Sequence, residues 1–178
     1  MTNEPTRAAV ELDEDTIAFA AKVFNYCRTG ETEVMADLLA GGLPANLRND
    51  KGDSLLMLAS YHGHGALTRL LLEHGGDPDL ANDRGQTPLA GACFKGDLEI
   101  ARLLLDHGAS VDARDPNGRT ALMIAAMFDR VEILDLLLAR GADPSARDAG
   151  GATAAAAAQA MGAAAAAARL AQARAIDV

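Results

Sequence analysis

Tryptophan is absent from this chain of 178 residues, and only six residues are aromatic. A stacking platform for nucleic-acid bases needs such rings, so the composition argues against that function. Positive charge is also scarce. Sixteen Lys and Arg face 25 Asp and Glu, giving a net charge of −9. The pI near 4.8 excludes the basic footprint of a phosphate-backbone binder. Of the surplus, −5 falls in residues 1–50, where nine acids face four bases, and −4 in the rest.

Long apolar runs are missing too, apart from an alanine-rich tail over 152–175. A membrane helix needs about 20 such residues. Gln159, Arg169, Gln172 and Arg174 interrupt the tail, and alanine anchors poorly in lipid, so no span is expected. Residues 1–7 lack the charged-then-apolar layout of a secretory signal, which makes the cytoplasm the expected compartment. Nor does the chain contain a Walker loop, a nucleophile elbow or an H-E-x-x-H motif. The adjacent acids Asp13, Glu14 and Asp15 read as charge at a helix start, not as a catalytic pair. The sequence therefore predicts neither an enzyme nor a bound cofactor.

What the chain has is 49% hydrophobic residues against 23% charged, which excludes disorder throughout. Its length suits one domain with a real core. Within it runs a period. Gly52, Gly85, Gly118 and Gly151 are 33 residues apart. Each is followed at fixed distances by Ser54, Thr87, Thr120 or Thr153, then by Ala59, Ala92, Ala125 or Ala158. A leucine triplet recurs at 70–72, 103–105 and 136–138. A second series runs Gly30, Gly63, Gly96 and Gly162, with Asp129 in the fourth place.

The unit at 82–114 shows the physics. Asn82 to Gln86 is a turn. Thr87 is a helix N-cap and Pro88 suits the first helical position. Leu89, Ala92 and Cys93 form one apolar face. Gly96 stops the first helix, Asp97 caps the second, and Ile100, Leu103 and Leu104 form its apolar face. Gly108 ends it. Two short helices cannot bury both faces alone, whereas stacked copies can, which predicts an all-α solenoid.

Residues 83–89, 96–100 and 103–109 (Asp-Arg-Gly-Gln-Thr-Pro-Leu, Gly-Asp-Leu-Glu-Ile, Leu-Leu-Leu-Asp-His-Gly-Ala) resemble the ankyrin repeat. The resemblance covers about residues 16–178 and implies helix-turn-helix units joined by hairpin loops. Five units are expected: a degenerate cap at 16–48, full repeats at 49–81, 82–114 and 115–147, and a cap at 148–178. They form a single domain at 13–178, after a flexible segment at 1–12. One departure is that Met57, Ala90, Met123 and Ala156 stand where the family often has His. Another is the last unit, with 16 alanines among residues 152–175. Two readings of it stay open: a helical cap that frays easily, and a disordered tail. The alanine-rich, arginine-over-lysine composition suggests a high-GC bacterial genome.

Cys27 and Cys93 lie two periods apart, so in a stack their thiols should be roughly 20 Å from each other, too far to bridge. Small buried residues explain them. His62 and His64 form an H-x-H without a third ligand in the neighbouring sequence. His64 reads as structural, and His74 and His107 as helix C-terminal partners of the dipole.

The resemblance places partner contacts on hairpin tips and inner-helix ends. The helix ends carry Tyr61-His62, Phe94-Lys95 and Met127-Phe128. These side chains either anchor a partner or only pack between repeats. At the tips, Arg84, Gln86, Arg114, Arg119 and Arg147 lean basic, which suits a protein partner with an acidic, partly apolar segment. The expected role is a monomeric interaction module acting as scaffold, inhibitor or stabilising subunit. The alternative is an accessory that binds a small molecule or metal near His62.

Overall fold

The computed structural model describes residues 13–176. The segment 1–12, expected to be flexible, lies outside them. Ten helices occupy the described residues: α1 Glu14–Thr29, α2 Thr32–Ala40, α3 Leu55–Tyr61, α4 Gly65–Glu73, α5 Pro88–Lys95, α6 Leu98–Asp106, α7 Ala121–Met127, α8 Val131–Ala139, α9 Ala154–Met161 and α10 Ala164–Ile176. They pair in order. The odd-numbered helices pack on one another in one row and the even-numbered helices in a second. No strand forms among the described residues; a single bridge joins Arg48 and Ser54 across the first hairpin.

Each pair is started by its own sequence. The hydroxyls of Ser54, Thr87, Thr120 and Thr153 accept from the backbone N–H groups of Met57, Ala90, Met123 and Ala156 at 3.0–3.4 Å. These bonds satisfy a helix-start donor that would otherwise be orphaned. The cap therefore works without a histidine in the following turn. Ahead of each cap, one side-chain oxygen ties the hairpin. Oδ1 of Asn82 accepts from the N–H groups of Arg84 and Gln86, both at 3.0 Å. Asn49, Asp115 and Asp148 repeat the pattern. Gly85 lies at φ +73°, and a Cβ there would run into the Pro116 ring of the next hairpin.

The core follows the period. Leu71, Leu104, Leu137 and Leu170 share one register position and are buried. Ala59, Ala92, Ala125 and Ala158 share another and are fully buried, which lets neighbouring inner helices approach closely. Cys27 and Cys93 are free and buried. Burial pushes both thiols up to about 12.

Of the two readings of the alanine-rich tail, the structure shows the helical one. Thr153 caps α9, and Gly162 ends it in the left-handed region. At the place of the missing glycine, Asp129 holds φ +54°. Its carboxylate accepts from the Ala166 N–H at 2.7 Å, which pins the first turn of α10. At the other end, α1 is longer than the other inner helices. Its first residues, with Ile17 and Phe19, stand exposed, while Phe24 is buried.

Candidate functional site

One groove of about 510 Å³ lies along the units from α3 to α7. Its lining combines hairpin residues Asp53, Asn82, Arg84, Gln86 and Arg119 with inner-helix residues Met57, Leu58, Tyr61, His62, Ala90, Gly91, Phe94, Ile124, Met127 and Phe128. The period explains why these meet. Residues 33 apart sit at one height on successive helices, so helix ends form columns. One column reads Tyr61, Phe94, Met127. The column beside it reads His62, Lys95, Phe128. Phe128 therefore sits one place along from Tyr61 and Phe94. It is drawn back to them by packing, its ring edge-on to Phe94 with centroids 4.7 Å apart. Tyr61 is 38% exposed and Phe94 43%, so both rings still offer a face to solvent. Lys95 lies outside the groove wall, with Nζ 5.2 Å from the Tyr61 ring centre, a cation–π distance.

Charge is unevenly satisfied. Asp53, an acid in the lining, accepts from Asn82 Nδ2 at 2.8 Å. Arg119 pairs with Asp115 at 2.8 Å. Burial alone would raise the Asp115 carboxyl, but hydrogen bonds and charge from Arg119, with the Asn117 N–H, outweigh it and hold it below its ordinary value. Arg84 is exposed, and it forms no ion pair among the described residues. At the helix-end side, partial desolvation and the charges of His64, Arg28 and Lys95 lower the His62 pKa. Arg84 is thus the cation of the lining without an ion pair among the described residues.

Besides Lys95, two expected contact residues lie elsewhere. Arg114 donates to the carbonyls of Gly118 and Arg147 at 3.1 and 2.8 Å, and Arg147 to the Gly151 carbonyl at 2.7 Å. Arg48 does the same in the first hairpin, reaching Gly52 and Ala81. Arg48 and Arg114 thus bind hairpin to hairpin, whereas Arg147 ties its own hairpin. The histidines divide as well. His64 bonds the Arg28 carbonyl at 2.8 Å, and His74 and His107 bond helix carbonyls of Leu70 and Leu103 at 2.9 Å. Residues missed in the sequence are the floor: Met57, Leu58, Ala90, Gly91 and Ile124. The register Leu58, Gly91, Ile124 was the available signal, since it places a gap between two branched side chains.

Stacked helix pairs, hairpin ties and capped inner helices define a helical repeat protein with a lined groove. A family model of ankyrin repeats matches at residues 20–115, 56–148 and 107–178, and the chain belongs to that family. A curated ankyrin repeat protein of Pseudomonas aeruginosa is 52% identical to it over 70 residues. That stretch covers 39% of this chain and 39% of the relative, so the match spans well under two thirds of the relative's length. Ankyrin repeats are in general protein–protein interaction modules. No described helix is long and apolar enough to cross a membrane.

Proposed function

We propose that this chain is a cytoplasmic interaction module that holds one partner protein along the groove, as a scaffold, inhibitor or stabilising subunit. The supporting observation is an apolar row of Tyr61, Phe94, Met127 and Phe128 beside Arg84, which forms no ion pair among the described residues. Aromatic, Met and Arg side chains are enriched where protein surfaces meet. A groove already formed by stacked repeats loses little entropy on binding. Its charge fits a partner segment that is acidic and partly apolar.

The test is capture from source-organism lysate with wild-type bait and with a Tyr61/Phe94/Phe128→Ala bait whose helicity matches by circular dichroism. The reading expects a partner held by the first and lost by the second. A partner held equally by both would move the site off the groove. A volume of about 510 Å³ also falls in the range of small-ligand sites. That second reading expects a metabolite or metal-ion screen to raise the melting temperature, with the triple variant unresponsive.

A further inference from the structure

Gly91 sits inside α5, where glycine is an unfavourable helix residue. Its backbone is not in the left-handed region, so the chain conformation does not demand glycine there. A Cβ on it would lie 3.3 Å from Tyr61 Cδ2 and 3.8 Å from Met57 Sδ, close but not barred. Neither backbone geometry nor helix stability accounts for the residue. The missing side chain lets the Tyr61 ring lie close against α5, and it also lowers the groove floor between Leu58 and Ile124, its neighbours one period away on either side.

We infer that this notch at Gly91 is the specificity pocket of the groove, taking one bulky apolar side chain of an acidic partner segment whose neighbouring carboxylate meets Arg84. The inference rests on the groove being the protein-binding surface. Two observations carry it. The notch is flanked by the Tyr61 ring and the Met57 thioether, and Phe94 lines the same groove, so an inserted apolar side chain meets apolar surface. Arg84 lines the same groove without an ion pair among the described residues, and the lining acid Asp53 is already bonded to Asn82. Large apolar anchors in a desolvated pocket carry most of the energy of such contacts.

The probe is a random twelve-residue peptide library displayed on phage, selected against the full chain and against Gly91→Leu and Arg84→Glu variants. Gly91→Ala, whose Cβ asks the Tyr61 ring to shift only slightly, serves as the folding control for changes at this position, with its helicity checked by circular dichroism. The inference expects wild-type selection to enrich peptides with one fixed Leu, Phe, Ile or Met next to Asp or Glu. A synthetic peptide of that consensus should bind Gly91→Leu at least about tenfold more weakly, as expected from losing a buried apolar side chain. It should also weaken on Arg84→Glu. Acidic consensus peptides that lack a fixed bulky residue, or that bind Gly91→Leu as they bind wild type, overturn the notch and leave the groove reading standing. Basic consensus peptides, no enrichment, or binding that ignores both substitutions overturn the groove reading together with the notch.

Discussion

The leucine-rich middle of the stack and its alanine-rich end have the same geometry built from different masses. In α5 and α6 a threonine cap, a left-handed Gly96 and a second cap at Asp97 frame Leu89, Ile100, Leu103 and Leu104. In α9 and α10 the frame persists as Asp148, Thr153 and Gly162, yet the buried residues are chiefly Ala154, Ala158, Ala163 and Ala166. Turn and cap residues set the conformation, and the amount of apolar surface sets how firmly it is held. The end unit compensates with polar ties. Asp129 accepts from Ala166, and Arg169 pairs with Asp135 at 2.6 Å.

Leucine truncation should separate the two regions most sharply. Leu104→Ala, at a fully buried site between two neighbours, should cost about 2–5 kcal/mol in urea unfolding. A loss below about 1 kcal/mol would mean the register or burial is wrong. Leu170→Ala removes the same side chain at the same register position, but at the end of the stack, where the site can relax. It should cost near the low end, about 2 kcal/mol, and an equal or larger loss than Leu104→Ala would erase the distinction.

A smaller effect is expected from Asp129→Ala, which deletes the tie to α10. About 1 kcal/mol is the usual value of such a cap bond, and it should appear as faster amide exchange in the first turn of α10 with the α3–α6 amides unchanged. Asp129→Gly keeps the φ +54° conformation comfortable and isolates the bond itself.

Asp115→Asn should have the least effect at neutral pH. Asn49 and Asn82 already do this job in the two preceding hairpins. The Asp115, Asp13 and Asp143 carboxyls all lie below their ordinary value of 3.8: hydrogen bonds and charge outweigh burial at Asp115, while hydrogen bonds from Thr16 and Ser145 lead at the other two. A folded-state pKa below the unfolded one gives stability that is fully present above the unfolded value. It is lost as pH falls through the folded one. Melting temperature should therefore hold from pH 7 to 5 and fall below about pH 4, with Asp115→Asn less acid-sensitive than wild type.

The solenoid was legible because its signals are local and recur. Gly85, Thr87, Pro88, Gly96 and Asp97 each dictate one backbone choice, and the period repeats the message. The groove was only half legible. Tyr61, Phe94, Met127 and Phe128 stand out as rare large residues, so their columns could be read. Arg114 and Arg147 lie outside the groove lining, because a tip arginine looks the same in sequence whether it stands free or donates to hairpin carbonyls. The floor at Gly91 was hidden because its contribution is a missing side chain.

Hydrogen exchange followed by mass spectrometry on the full chain tests the central claim most directly, since it reads each helix pair separately. The leucine-rich helices α3–α8 should exchange slowest and close to the global unfolding limit, with α9 and α10 exchanging much faster although α9 shares the same cap and turn. Uniform protection across the stack, or slowest exchange in α9 and α10, would contradict the claim that leucine mass rather than local geometry sets the stability of each unit.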